Sequence, residues 1–214
     1  MASNDTFLIG DGVLSFSDDV PRALRDDILD CLMYAQLSAD KKHEKRAQWR
    51  LWIEQYQRII LQKGGVLTGA IDPIRLVIKR LRDLQSVPQQ ISGRATSPEL
   101  RALMRTSLDI LLASDHAKIF FDSWFSAGRS ESFQVVPCQM DDRGGVTIMV
   151  CGLHMTTTAV SDAFFFWHAL TGEMTIRPNG ASFRFTAQGY APYRDKIRSY
   201  LSENSLKTIE IIQL

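Results

Sequence analysis

Residues 133–157 read FQVVPCQMDDRGGVTIMVCGLHMTT, which is the pattern of two β-strands joined by a hairpin. Val, Ile, Thr and Phe dominate both halves of this segment, as is typical of strands. Between the halves, residues 141–145 (DDRGG) supply the glycines and acidic side chains that tight turns favour. We therefore predict antiparallel strands over residues 133–138 and 146–157.

More strands are predicted towards the C-terminus, at residues 163–170, 173–178 and 182–187. Pro178-Asn179-Gly180 indicates a second hairpin between the last two, because Asn-Gly accepts the positive φ of a primed turn. A late helix over residues 191–204 and a closing strand over residues 205–214 follow. Connections this short favour antiparallel pairing.

Upstream of residue 130 the apolar residues recur with a period close to 3.6, which is typical of helices. The strongest amphipathic pattern lies at residues 38–63, where Trp49, Trp52 and Tyr56 share a face with several isoleucines. Four other helical segments are predicted, at residues 17–37, 72–87, 97–112 and 116–127.

This order of elements predicts an α+β fold. An N-terminal layer of about four to five helices would precede an antiparallel β-meander with one late helix and a C-terminal strand. The boundary at residues 128–131 divides a helical part, residues 1–130, from a sheet part, residues 131–214. Because a sheet face needs a cover, we expect the two parts to form one cooperative unit.

The composition is that of a folded globular chain. Of its 214 residues, 45% are hydrophobic and 23% charged, which excludes a disordered chain and a collagen-like repeat. The net charge of +1 gives no overall field that would select nucleic acid. The charges are segregated, however, with −6 over residues 1–40 and +9 over residues 41–105. We expect the acidic first helix to neutralise the basic helices, with a polyanion site as the alternative.

Five cations form the densest basic group, and they are the candidate binding residues: Lys41, Lys42, Lys45, Arg46 and Arg50. Helical spacing spreads them over the face away from the tryptophans, so an ordinary solvated face is the competing interpretation. The aromatic residues do not lie between the cations on one surface, and nucleic acid is therefore not an expected partner. A contact through these residues would weaken with added salt.

Cys138, Cys151, His154 and His168 are the residues of the sheet part that could carry chemistry. Their spacing, Cys-x12-Cys-x2-His-x13-His, matches no zinc module, and residues 151 and 154 should face opposite sides of a strand. Together with Cys31, the two cysteines of this group make three, and an odd number of cysteines fits a reducing compartment. No nucleophile, metal or phosphate motif occurs in the sequence. We predict no catalytic residue, no metal and no cofactor, and we favour a protein that is not an enzyme.

Phe164-Phe165-Phe166-Trp167 breaks the alternation of a strand, so large apolar groups would lie on both faces. The helical layer and the late helix would cover these faces, or a partner chain or lipid would. The predicted function is non-enzymatic binding of another protein, and a homo-oligomer is compatible with it. One alternative is a membrane-active, toxin-like protein in which residues 38–63 or the apolar strands enter lipid. The other alternative is a Cys/His thiol enzyme.

The N-terminus lacks a basic flank followed by an apolar run, and no apolar stretch is long enough to span a bilayer. From this we expect neither a signal peptide nor a transmembrane segment, and synthesis in the cytoplasm. Export by a route that reads no N-terminal signal is compatible with the same sequence.

Overall fold

The computed structural model describes residues 5–9, 12–114, 130–157, 174–204 and 211–213. The strands are β1 (Asp5–Ile9), β2 (Gly12–Phe16), β3 (Val66–Ala70), β4 (Leu76–Ile78), β5 (Ser130–Met140), β6 (Val146–Thr157), β7 (Met174–Phe185) and β8 (Ile211–Gln213). The helices are α1 (Arg22–Lys42), α2 (Trp49–Gln62), α3 (Val87–Gln90), α4 (Pro98–Ala113), α5 (Ala187–Tyr190) and α6 (Arg194–Glu203). Short 3₁₀ helices lie at Leu81–Ser86 and Ala191–Tyr193.

All the described strands join one mixed sheet in the order β3-β7-β6-β5-β2-β1-β8, with β4 pairing β7 beside β3. Most pairs are antiparallel, but β2 runs parallel to β5. The predicted fold class is therefore wrong, because strands precede, interrupt and follow the helices. A two-stranded antiparallel unit, β1 with β2, begins the fold in a segment for which no strand was predicted.

The predicted helix over residues 72–87 is also wrong. Val66–Ala70 and Leu76–Ile78 are strands that pair with the outer edge of β7. Leu76 and Ile78 are buried while Val77 between them is 47% exposed, which is the alternation of a strand with one buried face. The apolar residues between 74 and 84 fit the period of a helix as well as that of a strand. The segment forms a strand because the edge of β7 is available to pair with it.

Pro178-Asn179-Gly180 does not form the predicted hairpin, because β7 continues through it. Pro178 lies between the stretch of β7 that pairs with β4 and the stretch that pairs with β3, so neither of those ladders requires its missing N–H. A Cβ on Gly180 would collide with the Val150 carbonyl oxygen, so this glycine permits close approach of β6 rather than a turn.

Other local predictions are confirmed. The hairpin between β5 and β6 turns at residues 141–145, where the Asp141 carboxylate accepts hydrogen bonds from the backbone N–H groups of Arg143 and Gly145, both at 2.8 Å. Helix α4 begins after Ser97, whose hydroxyl accepts the Leu100 N–H at 3.0 Å.

The segments predicted at residues 116–127 and 163–170, with Phe164–Trp167 and His168, lie outside the described residues. The late helix is present as α5 and α6, which are joined by a 3₁₀ turn. In the closing segment, residues 211–213 form β8 and pair with β1.

Helices cover both faces of the sheet. One face, here called the α1/α2 face, packs Ile148, Val150 and Phe183 against α1, α2 and α6. The other, the α4 face, packs Phe133 and Met149 against α4 and the 81–91 segment. The hydroxyls of Ser15 on β2 and Ser107 on α4 lie 2.6 Å apart, which fixes α4 on this second face.

This topology predicts that the chain unfolds as one unit. A cut between residues 128 and 129 separates β2 from β5, and it separates β3 and β4 from β7. We expect neither fragment alone to show a sharp thermal transition by circular dichroism, because each would expose the sheet edges that the other pairs. Cooperative unfolding of an isolated fragment would contradict this.

Candidate functional site

The candidate cations lie where α1 ends and α2 begins, and not along one helix as predicted. Lys41 and Lys42 occupy the last turn of α1, where the helix dipole favours positive charge. Lys45 and Arg46 lie in the connecting turn, and Arg50 lies in the first turn of α2. The structure thus brings the five residues together at one corner of the helix pair, which we call the basic corner.

The turn of the basic corner is well organised. The Glu44 carboxylate accepts the backbone N–H groups of Arg46 at 3.2 Å and Ala47 at 2.9 Å. The Gln48 N–H donates to the Glu44 carbonyl at 2.8 Å, and the Trp52 N–H donates to the Gln48 carbonyl at 2.9 Å. These bonds hold the turn between the two helices in a defined shape.

Four of the five cations are exposed, and Lys45 is half-buried. The Lys45 ammonium lies 4.5 Å from the ring centroid of Trp52, a cation–π contact. The Lys42 ammonium donates to the Gln55 side-chain oxygen at 3.3 Å. The stem of Lys45 therefore belongs to the helix packing, whereas the exposed cations give the corner its positive surface.

The shared apolar face predicts burial of Trp49, Trp52 and Tyr56, and this is confirmed for Trp52 and Tyr56, whose rings stack at 5.3 Å beneath the corner. The Trp52 indole N–H donates to an Asp40 carboxylate oxygen at 2.7 Å, which joins α2 to the end of α1. Trp49 is only half-buried. Its indole stacks on the imidazole of His154 at 4.7 Å with an interplanar angle of 5°, so it ties the first turn of α2 to β6.

Five large apolar side chains are exposed among the described residues, and one of them, Leu51, adjoins the basic corner. Leu51, which the sequence analysis missed, is 47% exposed and lies between Arg50 and Trp52 in the chain. It falls off the buried stripe of α2, and that position was the available signal. The basic corner therefore combines positive charge with an exposed aliphatic group.

His154 is buried beneath Trp49, and its Nδ1 lies 2.8 Å from the Ser132 hydroxyl on β5. Burial lowers the pKa of this histidine below its usual value of 6.5, and the nearby positive charge of Arg177 lowers it further. The imidazole is therefore neutral near pH 7, where it supports the Trp49 stack.

A pH dependence follows from His154. In the window between its lowered folded pKa and about 6.5, the unfolded chain binds more protons, so stability falls as the pH falls through this window. We expect urea unfolding to show a larger loss of stability between pH 8 and pH 5 for the parent protein than for His154→Gln. Equal losses would show that protonation of His154 does not oppose folding.

The three cysteines are buried, and they lack the features of catalytic thiols. Burial raises the pKa of Cys31 and Cys151 to about 12 and that of Cys138 well above its usual value. A nucleophilic cysteine needs a shift in the opposite direction. Cys151 packs on the α4 face, whereas His154 lies on the α1/α2 face and contacts Ser132, so these two residues do not form a Cys–His pair.

The acidic residues of α1 contact α6. Asp27 is 2% exposed and accepts two hydrogen bonds from the Arg194 guanidinium, at 2.6 and 2.7 Å. Asp30 accepts one from Arg198 at 2.9 Å. The expected neutralisation between α1 and the helices of residues 41–105 is thus replaced, for these two carboxylates, by ion pairs with α6.

Comparison with known proteins finds similar solved structures, among them a virulence factor and a delta-endotoxin. No protein-family model matches the chain, and no curated protein matches it. A solved structure of the Evf virulence factor is similar over 90% of this chain and 81% of its own, with 12% identity and a TM-score of 0.46. A delta-endotoxin is similar over 83% of this chain and 84% of its own, with 10% identity and a TM-score of 0.47.

Among the described residues, no helix has the length and apolar character needed to cross a bilayer. Within the same residues, no group of three or more His, Cys, Asp or Glu side chains is placed to hold a metal ion.

The packing under the basic corner gives a stability prediction. Trp52→Ala should reduce the free energy of unfolding by about 3 kcal/mol, because it removes a large core side chain and its bond to Asp40. Leu51→Ala, the neighbouring exposed position, should change it by less than about 0.5 kcal/mol. Urea denaturation measures both, and similar small losses would mean that Trp52 is not part of the core.

Proposed function

We propose that this protein binds the surface of anionic membranes through the basic corner. The observation that carries the proposal is the grouping of Lys41, Lys42, Lys45, Arg46 and Arg50 on two helix ends and the turn between them. Cations on such a corner can approach a flat anionic surface together. Each contributes about 1 kcal/mol near a membrane that carries acidic lipids.

The exposed apolar side chain favours lipid over an acidic protein as the partner. Leu51 neighbours Arg50, and Trp49 is half-buried beside it. Basic side chains with adjacent Leu and Trp residues are typical of segments that lie in the membrane interface, where the cations meet headgroups and the apolar groups enter the acyl boundary. A purely electrostatic contact with a protein needs no such exposed leucine.

Vesicle co-sedimentation tests the proposal. The protein should bind phosphatidylcholine vesicles that contain phosphatidylserine and should not bind vesicles of phosphatidylcholine alone. Changing the five corner cations to Gln should weaken binding by roughly 3.5 orders of magnitude, given about 1 kcal/mol per charge. Binding of the parent protein should fall steeply with added salt, because the contact is electrostatic.

A matched variant controls for total charge. Lys79, Arg82, Arg105, Arg143 and Lys196 are exposed cations outside the basic corner, and changing them to Gln removes the same charge. This variant should keep most of the vesicle affinity. Equal weakening by both variants, or no affinity of the parent protein for acidic vesicles, would refute the proposal, and binding to an acidic protein would then be the remaining use of the corner.

Dye release from the same vesicles separates surface binding from membrane disruption. Release that requires the five cations would extend the proposal to the membrane-active alternative. Binding without release would confine the function to the membrane surface.

A further inference from the structure

A cleft of about 530 Å³ lies at the end of the sheet away from the basic corner. Its floor comes from four neighbouring strands, with Gln139 on β5, Thr147 on β6, Ser182 on β7 and Thr68 on β3. Thr147 precedes His154 by seven residues on the same strand, so the cleft and the Trp49 stack are roughly 23 Å apart along β6.

The floor of the cleft is polar, although the α4 face of the sheet becomes apolar farther along β6. Met149, two residues after Thr147, is fully buried in the α4-face core. Gln139 and Thr147 are cross-strand partners, and the Ser182 hydroxyl lies 2.8 Å from that of Thr68. Hydroxyl and amide groups both donate and accept hydrogen bonds, so this floor can pair with a ligand that does the same.

One wall of the cleft consists of Arg94, in the turn that leads into α4, and of Glu99 and Leu100 at the start of α4. The Ala95 N–H donates to the Ala70 carbonyl at 3.1 Å, which ties this turn to β3. A Cβ on Gly69 would collide with the Arg94 backbone, so the close approach of the turn requires glycine there.

The opposite wall is the β5–β6 turn, with Met140, Asp141 and Asp142. Asp141 is held in place, since its carboxylate accepts from the Arg184 Nε at 2.5 Å and from the Gly145 N–H at 2.8 Å. Asp142 is exposed at the rim. Both walls are therefore anchored to the sheet and define a site of fixed width.

The charges of the lining argue against an anionic ligand. Arg94 contributes one positive charge and Glu99 and Asp142 contribute two negative charges, while Arg184 balances Asp141. The lining thus carries a slight negative excess, which disfavours phosphates. The volume falls within the usual range for small-molecule sites of about 300–1,000 Å³, but such sites are mostly apolar and this one is not.

We infer that this cleft binds a neutral hexose unit. The floor hydroxyls and the Gln139 amide can pair with sugar hydroxyls, and the rim carboxylates can accept from them. This inference stands apart from membrane binding, because it uses none of the residues of the basic corner.

Titration with simple sugars tests the inference on the full chain. Methyl glycosides of glucose, galactose, mannose and N-acetylglucosamine are added singly while calorimetry and ligand-observed NMR follow binding. At least one should bind saturably, and glucose 6-phosphate should bind more weakly than the methyl glucoside. Phosphatidylcholine vesicles with a neutral monohexosyl lipid then show whether a membrane-displayed sugar binds as the free one does.

Two variants locate the binding. Thr147→Val removes a floor hydroxyl and should weaken the glycoside roughly fivefold, as expected for one lost neutral hydrogen bond. Thr156→Val makes the same change nine residues later on β6, roughly 30 Å from the cleft, and should leave affinity unchanged. The variant lacking the five corner cations should also bind the sugar normally, so failure of membrane binding and failure of this inference are distinguishable.

Three results would overturn the inference. They are the absence of saturable binding for every glycoside, equal affinities of the Thr147→Val and Thr156→Val variants, and tighter binding of glucose 6-phosphate than of the neutral sugars.

Discussion

The parallel pairing of β2 with β5 is the constraint on which the remaining architecture depends. Gly12 pairs with Gln134 and Phe16 with Cys138, so the first strands of the chain join strands more than a hundred residues later. A parallel pair needs a long crossover connection. Here the crossover supplies α1 and α2 to one face of the sheet, β3 and β4 to its far edge and α4 to the other face. In the sheet, β6 and β7 lie between β5 and the two crossover strands, β3 and β4. Because β6 and β7 follow the crossover in sequence, β3 and β4 gain their partner only when β7 is in place. Such non-local pairing slows folding.

The ion pairs between α1 and α6 hold the last helix against the first, and they neutralise part of the negative charge of residues 1–40. Asp27 is 2% exposed, and a carboxylate buried to that degree needs positive partners, which Arg194 and Arg198 provide. The acidic N-terminal half of α1 is thus committed to α6, some four turns away from Lys41 and Lys42 at the other end of the same helix. Helix α1 therefore carries two cations of the basic corner in its last turn, and its ion-paired carboxylates lie towards the other end.

Local chemistry was predictable from sequence, and long-range pairing was not. Ser97 and Asp141 form hydrogen bonds with backbone groups three and four residues away. The local sequence was therefore sufficient to predict the start of α4 and the turn at residues 141–145. The segment predicted as a helix over residues 72–87 was misjudged because its apolar residues fit a helical period, and only the open edge of β7 makes Leu76–Ile78 a strand. Pro178-Asn179-Gly180 has the composition of a turn, yet β7 passes straight through it because its partners on both sides use the extended conformation. In each of these errors the residue that decided the outcome lies far away in the sequence.

The same distinction applies to the two sites. The five cations could be grouped from sequence because they lie within ten residues, although the break between α1 and α2 that makes them a corner was not predicted. The cleft, by contrast, unites Thr68, Gln139, Thr147 and Ser182 from four separate strands. Strand β6 connects the two sites, since Thr147 faces the cleft on the α4 face and His154 supports Trp49 on the α1/α2 face. A hydrogen-bonded strand in the middle of a sheet is a rigid spacer, so a ligand in the cleft and a surface at the corner can be held at once without competing. The membrane contact and the sugar site that we propose therefore lie towards opposite ends of β6 and share no residue.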